Sequence, residues 1–222
     1  MRLVLSVATL IAVGLAQRQA SGTVLTASEI QEPHLMRRPA VVEGRSWLGL
    51  QVLEDGSRLE HVEVHWIGSV EFEDSVFTLS VEPRSPAFIV ADVPQLSAGP
   101  AITVSRFEQG LTAGAPLNFV LGTRAYSVEL SHTTPMMCDA AVNLSDGTVS
   151  QDLYFPDEAL VSCDEPHFSV QWTGDLDGDG KLDLLATFSP KYSYYPRRLF
   201  LSTAAQDGDL VGLAAVFDGS AA

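Results

Sequence analysis

The chain has 222 residues, with 13 Lys and Arg against 28 Asp and Glu, a formal net charge of −15, and 46% hydrophobic against 18% charged residues. Such an acid excess repels nucleic acid and anionic membrane, so neither is an expected partner, and cations are the natural counterpart. The apolar content excludes a disordered chain and suits one globular domain with a sizeable core.

Residues 1–16, MRLVLSVATLIAVGLA, read as a secretory signal peptide: Arg2, an apolar run from Leu3 to Leu15, and small residues Gly14 and Ala16 at the expected cleavage point. The run is shorter than the roughly 20 residues needed to span a bilayer, and no later segment is long and apolar enough to try. The mature protein is therefore expected to be soluble and secreted or periplasmic, with no membrane span. Its removal takes away one base and no acid, leaving 12 basic against 28 acidic residues, net −16. Residues 17–42 carry Pro33 and Pro39 without a sustained period and read as an N-terminal tail or linker with one short strand at Thr23–Thr26. A single β domain is expected over residues 43–222.

Within it the signal is alternation. Trp47, Leu48, Leu50 and Val52 lead into Asp55-Gly56, and Val62, Val64 and Trp66 then share one face of EHVEVHW, which predicts a hairpin. Phe77-Leu79-Val81, Phe88–Ala91, Ile102-Val104, Leu117-Phe119-Leu121 and Tyr126-Val128-Leu130 continue the grammar, separated by proline and glycine. Val142–Leu144 and Thr148–Phe155 flank a second Asp-Gly at 146–147, and a third, at 207–208, links RRLFLSTAA to LVGLAAVF. No helical period persists over three turns outside residues 1–16. The expected fold is all-β, an antiparallel β-sandwich or meander. Cys138 and Cys163 are expected to form a disulfide in an exported protein; two free thiols are the alternative, and neither cysteine has zinc-ligand spacing.

The densest chemistry is WTGDLDGDGKLDLL, residues 172–185. With Asp175 as position one, Asp177 is three, Asp179 five, Gly180 six, the Lys181 carbonyl seven and Asp183 nine, the spacing D-x-D-x-D-G-x-x-D. Calcium wants six to eight oxygens at about 2.3–2.6 Å, and alternate side chains converge on it only where glycine lets the backbone curl. Position twelve, the bidentate glutamate of an EF-hand, is Ala186, and both flanks read as strands, so this is a Ca2+ loop set between strands. An acidic turn whose aspartates cap their own backbone is the plainer alternative.

Gly174–Leu185, GDLDGDGKLDLL, resembles the calcium-loop signature of FG-GAP and VCBS-type repeats, found in integrin α-subunit propellers and in many exported bacterial proteins. In that family the loop joins two strands of a blade and binds calcium structurally, which implies ligand roles for Asp175, Asp177, Asp179, Lys181 by its carbonyl, and Asp183. Phe-Gly does not precede the loop; Phe168-Ser169 stands nearby instead. The layout is also similar to small exported proteobacterial proteins of uncharacterised activity that carry WLGL near the front, here Trp47–Leu50, and one such loop near the end. A complete propeller is not expected, since it takes four to eight blades of about 40 residues and the signature occurs once.

Two further stretches hold candidate chemistry. His61, Glu63 and His65 share a strand face and, like His167 after Asp164-Glu165-Pro166, are candidates for a hydrolase site; a solvated polar face is the preferred reading of the first three. GRSWLG, Gly44–Gly49, lacks nucleophile-elbow spacing. SPKYSYYPRRLF, Ser189–Phe200, offers Tyr192, Tyr194 and Tyr195 as flat faces with Arg197 and Arg198 as orienting cations for a carbohydrate or protein ligand; a plain hairpin connection is the alternative. Lying one strand beyond the Ca2+ loop, it is expected to be ordered by the metal. The expectation is a monomeric, non-enzymatic, calcium-binding module with an unknown protein or carbohydrate partner, and a secreted or periplasmic hydrolase as the alternative.

Overall fold

The computed structural model describes residues 20, 22–27, 30, 44–69, 76–82, 86–106, 108–154 and 163–220. The signal peptide read at residues 1–16 and the domain start at Glu43 lie outside them. Among the described residues fifteen strands run in chain order: β1 Gly22–Thr26, β2 Trp47–Leu53, β3 Gly56–Ser69, β4 Val76–Glu82, β5 Phe88–Ala91, β6 Gly99–Ser105, β7 Gln109–Gly110, β8 Leu117–Leu121, β9 Arg124–Ser131, β10 Ala141–Ser145, β11 Ser150–Tyr154, β12 His167–Asp175, β13 Asp183–Ser189, β14 Tyr194–Leu201 and β15 Gly212–Ser220. The Asp-Gly turns at 55–56, 146–147 and 207–208 join antiparallel neighbours, β2–β3, β10–β11 and β14–β15, as alternation around a turn dipeptide predicts. At the second, the Asp146 carboxylate accepts the amides of Thr148 and Val149, and Gly147 takes the left-handed φ of 84° that the turn requires.

The strands close on themselves. The order β13-β14-β15-β1-β5-β2-β3-β6-β12 returns to its start because β12 pairs with both β6 and β13, giving a nine-stranded, barrel-like sheet. An odd ring cannot alternate direction throughout, so one neighbouring pair must be parallel. That pair is β1 with β15, Gly22 opposite Ala215 and Thr23 opposite Val216. β4 extends from β3, β7 from β12, and β8–β11 form a separate four-stranded sheet.

The all-β expectation holds, but the sandwich or meander does not: the main sheet is a closed barrel with a second sheet laid on one wall. Alternation within a strand says which side chains share a face, and closure is decided by pairings between distant strands. The short strand expected at Thr23–Thr26 is present, and it is a full member of the ring, with Val24 and Leu25 at zero exposure between β15 and β5.

One core cluster draws Val24, Leu50, Leu59, Phe88, Val90, Trp172, Leu185 and Leu199 from strands around the ring. Trp172 meets Phe88 edge-on at 5.6 Å between ring centroids and donates its indole N–H to the Thr103 hydroxyl, so the large ring is buried without stranding its polar atom. A second cluster lies between the two sheets, Val128, Val142 and Leu144 of β9 and β10 against Phe168, Leu184 and Phe188 of β12 and β13. A third joins Leu25, Trp47, Val62 and Ile89 to Leu79 and Val81 of β4. β13 thus buries both faces, and all seven of its residues are buried.

Candidate metal centre

The tip of the β12–β13 hairpin is residues 175–183. Both strands are pinned on either side: Gly174 pairs with Asp183, and Gly174 and Asp175 also pair with Thr103 and Ile102 of β6. A Cβ on Gly174 would stand 1.9 Å from the Ile102 carbonyl oxygen and 2.6 Å from the Trp172 ring, so only glycine lets β6 approach the base of the loop. Gly178 and Gly180 have φ of 81° and 79°, the left-handed values that curl the chain back between the aspartates.

Asp175, Asp177 and Asp183 each bring one carboxylate oxygen within 4.8 Å of the others. Asp183 has no exposed surface and Asp175 retains 4%. Both oxygens of Asp183 accept backbone amides, Oδ2 from Leu176 at 2.6 Å and Oδ1 from Ser202 at 2.8 Å. Asp175 accepts the amides of Gly178 at 2.7 Å and Gly180 at 3.0 Å. Asp177 accepts the Asp179 amide and the Thr203 hydroxyl. Burial pushes the Asp183 carboxyl up to about 7, the amides of Ser202 and Leu176 oppose that, and the charges of Asp177 and Asp175 add to it. Amide bonds within a loop are what a plain acidic turn also makes. Two buried carboxylates converging with a third are different, because their mutual repulsion is costly at low dielectric unless a proton or a cation offsets it.

Of the five ligands expected from spacing, the structure brings these three together. Asp179 stands outside the triad: it is exposed, its Oδ1 accepts the Lys181 amide at 2.8 Å and its Oδ2 lies 3.5 Å from the Lys181 ammonium. The Lys181 carbonyl remains assigned by spacing alone. Thr203 and Ser202, in the 3-10 turn Ser202–Ala204 that follows β14, were not foreseen. No local pattern marks them, since they meet the loop only through the packing of β14 on β13.

The candidate histidine sites fare differently. His61, Glu63 and His65 are exposed, the only contact among them is His65 Nε2 to Glu63 at 3.4 Å, and they form no metal-ligating group among the described residues. His167 has a partner from across the fold: Nε2 lies 3.0 Å from Glu108 and 3.1 Å from the buried Ser169 hydroxyl, which itself donates to Glu108 at 2.7 Å. The His167 hydrogen bond, with Ser169 and Arg197 adding to it, holds the Glu108 carboxyl down to about 2 against its partial burial. A Ser-His-acid triad places the acid and the nucleophile on opposite ring nitrogens. Here both meet Nε2, and the serine proton is directed to the carboxylate. The chain of bonds continues from Ser169 through Gln171 and Thr187 to Arg197, a polar row along β12, β13 and β14.

Arg197 also stacks over Tyr195 at 5.6 Å from the ring centroid. Alternation along β14 puts Tyr195 and Arg197 on one face and Tyr194 and Arg198 on the other, where Tyr194 donates its hydroxyl to Asp218 at 2.7 Å. Tyr192 projects from the turn, 60% exposed. The five residues therefore do not form one flat patch. The turn is also not at the aspartate loop: β13 separates them, seven residues or about 20 Å at the usual rise. It is tied instead to the segment beside the disulfide Cys138–Cys163: the Asp164 amide, next to Cys163, donates to the Pro190 carbonyl and the Asp164 carbonyl accepts the Tyr192 amide.

Compared with known proteins, the chain matches no family model, no curated protein and no solved structure. Among the described residues no helix is long and apolar enough to cross a membrane.

Proposed function

We propose that this chain is an exported β-barrel protein that binds one Ca2+ at Asp175, Asp177 and Asp183, with Asp179 and the Lys181 carbonyl assigned by their place in the FG-GAP/VCBS-type spacing, and that it serves as a binding or envelope-associated module. The observation that carries it is the convergence of three carboxylates within 4.8 Å, two of them buried. A cation bound to the native state alone stabilises it by mass action, about 2.7 kcal/mol at a hundred times Kd. Calorimetric unfolding of the mature chain with calcium, then with chelator, tests this: a midpoint that does not move removes the calcium assignment. The protein acts as a monomer in the secreted or periplasmic space, consistent with its disulfide.

Its ligand is an unidentified carbohydrate or protein taken at the Tyr192 turn, where Tyr192 offers an exposed ring and the strand that follows carries the Tyr195–Arg197 stack. Glycan-array binding by the parent and by the Tyr192→Ala variant checks it; equal signals from both count against the turn.

A further inference from the structure

The nine-residue loop falls short of a full calcium shell. Its twelfth position is Ala186, fully buried in the core between the sheets, and Asp179 points to Lys181. Both Asp183 oxygens already accept amides, so a cation there wants oxygen from elsewhere. The structure holds one beside the cluster. Ser202 is 5% exposed and its hydroxyl has no hydrogen-bond partner, which is costly for a buried polar group unless something else engages it. Its own amide is 2.8 Å from Asp183 Oδ1, so covalent geometry keeps the hydroxyl within about 7 Å of that oxygen. The next residue, Thr203, donates its hydroxyl to Asp177 Oδ2.

We propose that the Ser202–Thr203 turn completes the cation site, Thr203 as a positioning residue that fixes the Asp177 carboxylate and Ser202 by supplying its buried hydroxyl oxygen to the metal or to a metal-bound water. This rests on the calcium reading above and extends it. The ligand set then spans two separate pieces of chain, and the bound cation ties the β12–β13 hairpin to the β14–β15 connection, making the site a staple between neighbouring strands of the barrel wall.

Isothermal titration of calcium into the chelator-stripped mature chain tests it, with Thr203→Val, Thr203→Ser and Ser202→Ala beside the parent. None of the three changes removes the Ser202 amide, and Thr203 is exposed, so the variants keep the fold. Outer partners of metal ligands are worth about 10–100-fold in affinity, so Thr203→Val and Ser202→Ala should each weaken calcium about tenfold or more, with Thr203→Ser restoring parental affinity. The unfolding midpoint in chelator should fall in none of the variants, and should hold or rise in Ser202→Ala, which removes an unpartnered buried hydroxyl, a result that a merely structural role does not give. A parent that binds no calcium overturns both this and the calcium reading. A parent that binds, with all variants within about threefold of it, overturns this inference alone. So does weakened binding that Thr203→Ser fails to restore or that follows a lowered midpoint in chelator.

Discussion

Asp183 is the residue on which the candidate site turns. It has no exposed surface, two amides fill its oxygens, and burial holds its carboxyl at about 7 against an ordinary 3.8. A carboxyl raised on folding binds its proton more tightly in the native state, so in chelator the stability it supports is complete below about pH 4 and falls as pH rises through about 7. Calcium competes for the ionised form and should reverse that slope; unfolding midpoints at pH 5, 6 and 7.5, with and without calcium, read it directly. Asp183→Asn replaces one acceptor oxygen with an NH2 group that faces an amide donor and withdraws the charge, so the calcium-induced rise in the midpoint should vanish. A preserved rise in that variant places the metal elsewhere. Alternate aspartates around glycine showed this residue in the sequence, because ligands within one loop are constrained by local spacing. Thr203, 26 residues from Asp177, and Glu108, 59 residues from His167, carry no such mark, since only tertiary packing brings them in.

At the scale of elements, the β12–β13 hairpin is fastened at both ends by different means. Gly174→Ala drives a Cβ into the Ile102 carbonyl, a backbone atom that cannot swing away, and should cost about 3 kcal/mol as overpacking does, measured by urea unfolding. At the far end, Cys138→Ser with Cys163→Ser should cost about 3 kcal/mol in the chain-entropy account for a sequence separation of 25. Because Asp164 holds the Pro190–Tyr192 turn, hydrogen exchange of the Tyr192 amide should quicken in that variant while the Gly178 and Gly180 amides keep their rates. Exchange that quickens at both ends alike means the two fastenings are one cooperative unit. The expectation that calcium orders the tyrosine turn reads adjacency in sequence as adjacency in space. A strand carries the chain away at about 3.3 Å per residue, so one strand beyond the loop is the opposite end of the hairpin.

For the whole molecule, the decisive fact is that the ring closes through its first and last strands. Period-two patterning located the strands, since a strand's faces are a local property, and the Asp-Gly turns paired their neighbours. The pairings that bend the sheet into a barrel join β12 to β6 and β1 to β15, about 70 and 190 positions apart, and apolar alternation is indifferent to which distant strand lies alongside. That is why a short run in an apparent tail proves to be structural. β1 is the parallel seam an odd ring requires, hydrogen-bonded on one side to β15 and on the other to β5, with Val24 and Leu25 wholly buried in different core clusters. Removing it exposes the edges of β15 and β5 together and strips two clusters of a buried aliphatic each, about 2–5 kcal/mol for each lost side chain before the pairing is counted. A chain starting at residue 20 should therefore unfold in one cooperative calorimetric transition like one starting at residue 17. One starting at residue 28 should lose that transition and aggregate, and Val24→Asp with Leu25→Asp in the longer chain should do the same. If the shorter chain unfolds cooperatively at the parental midpoint, β1 is an accessory strand and the ring is held closed without it.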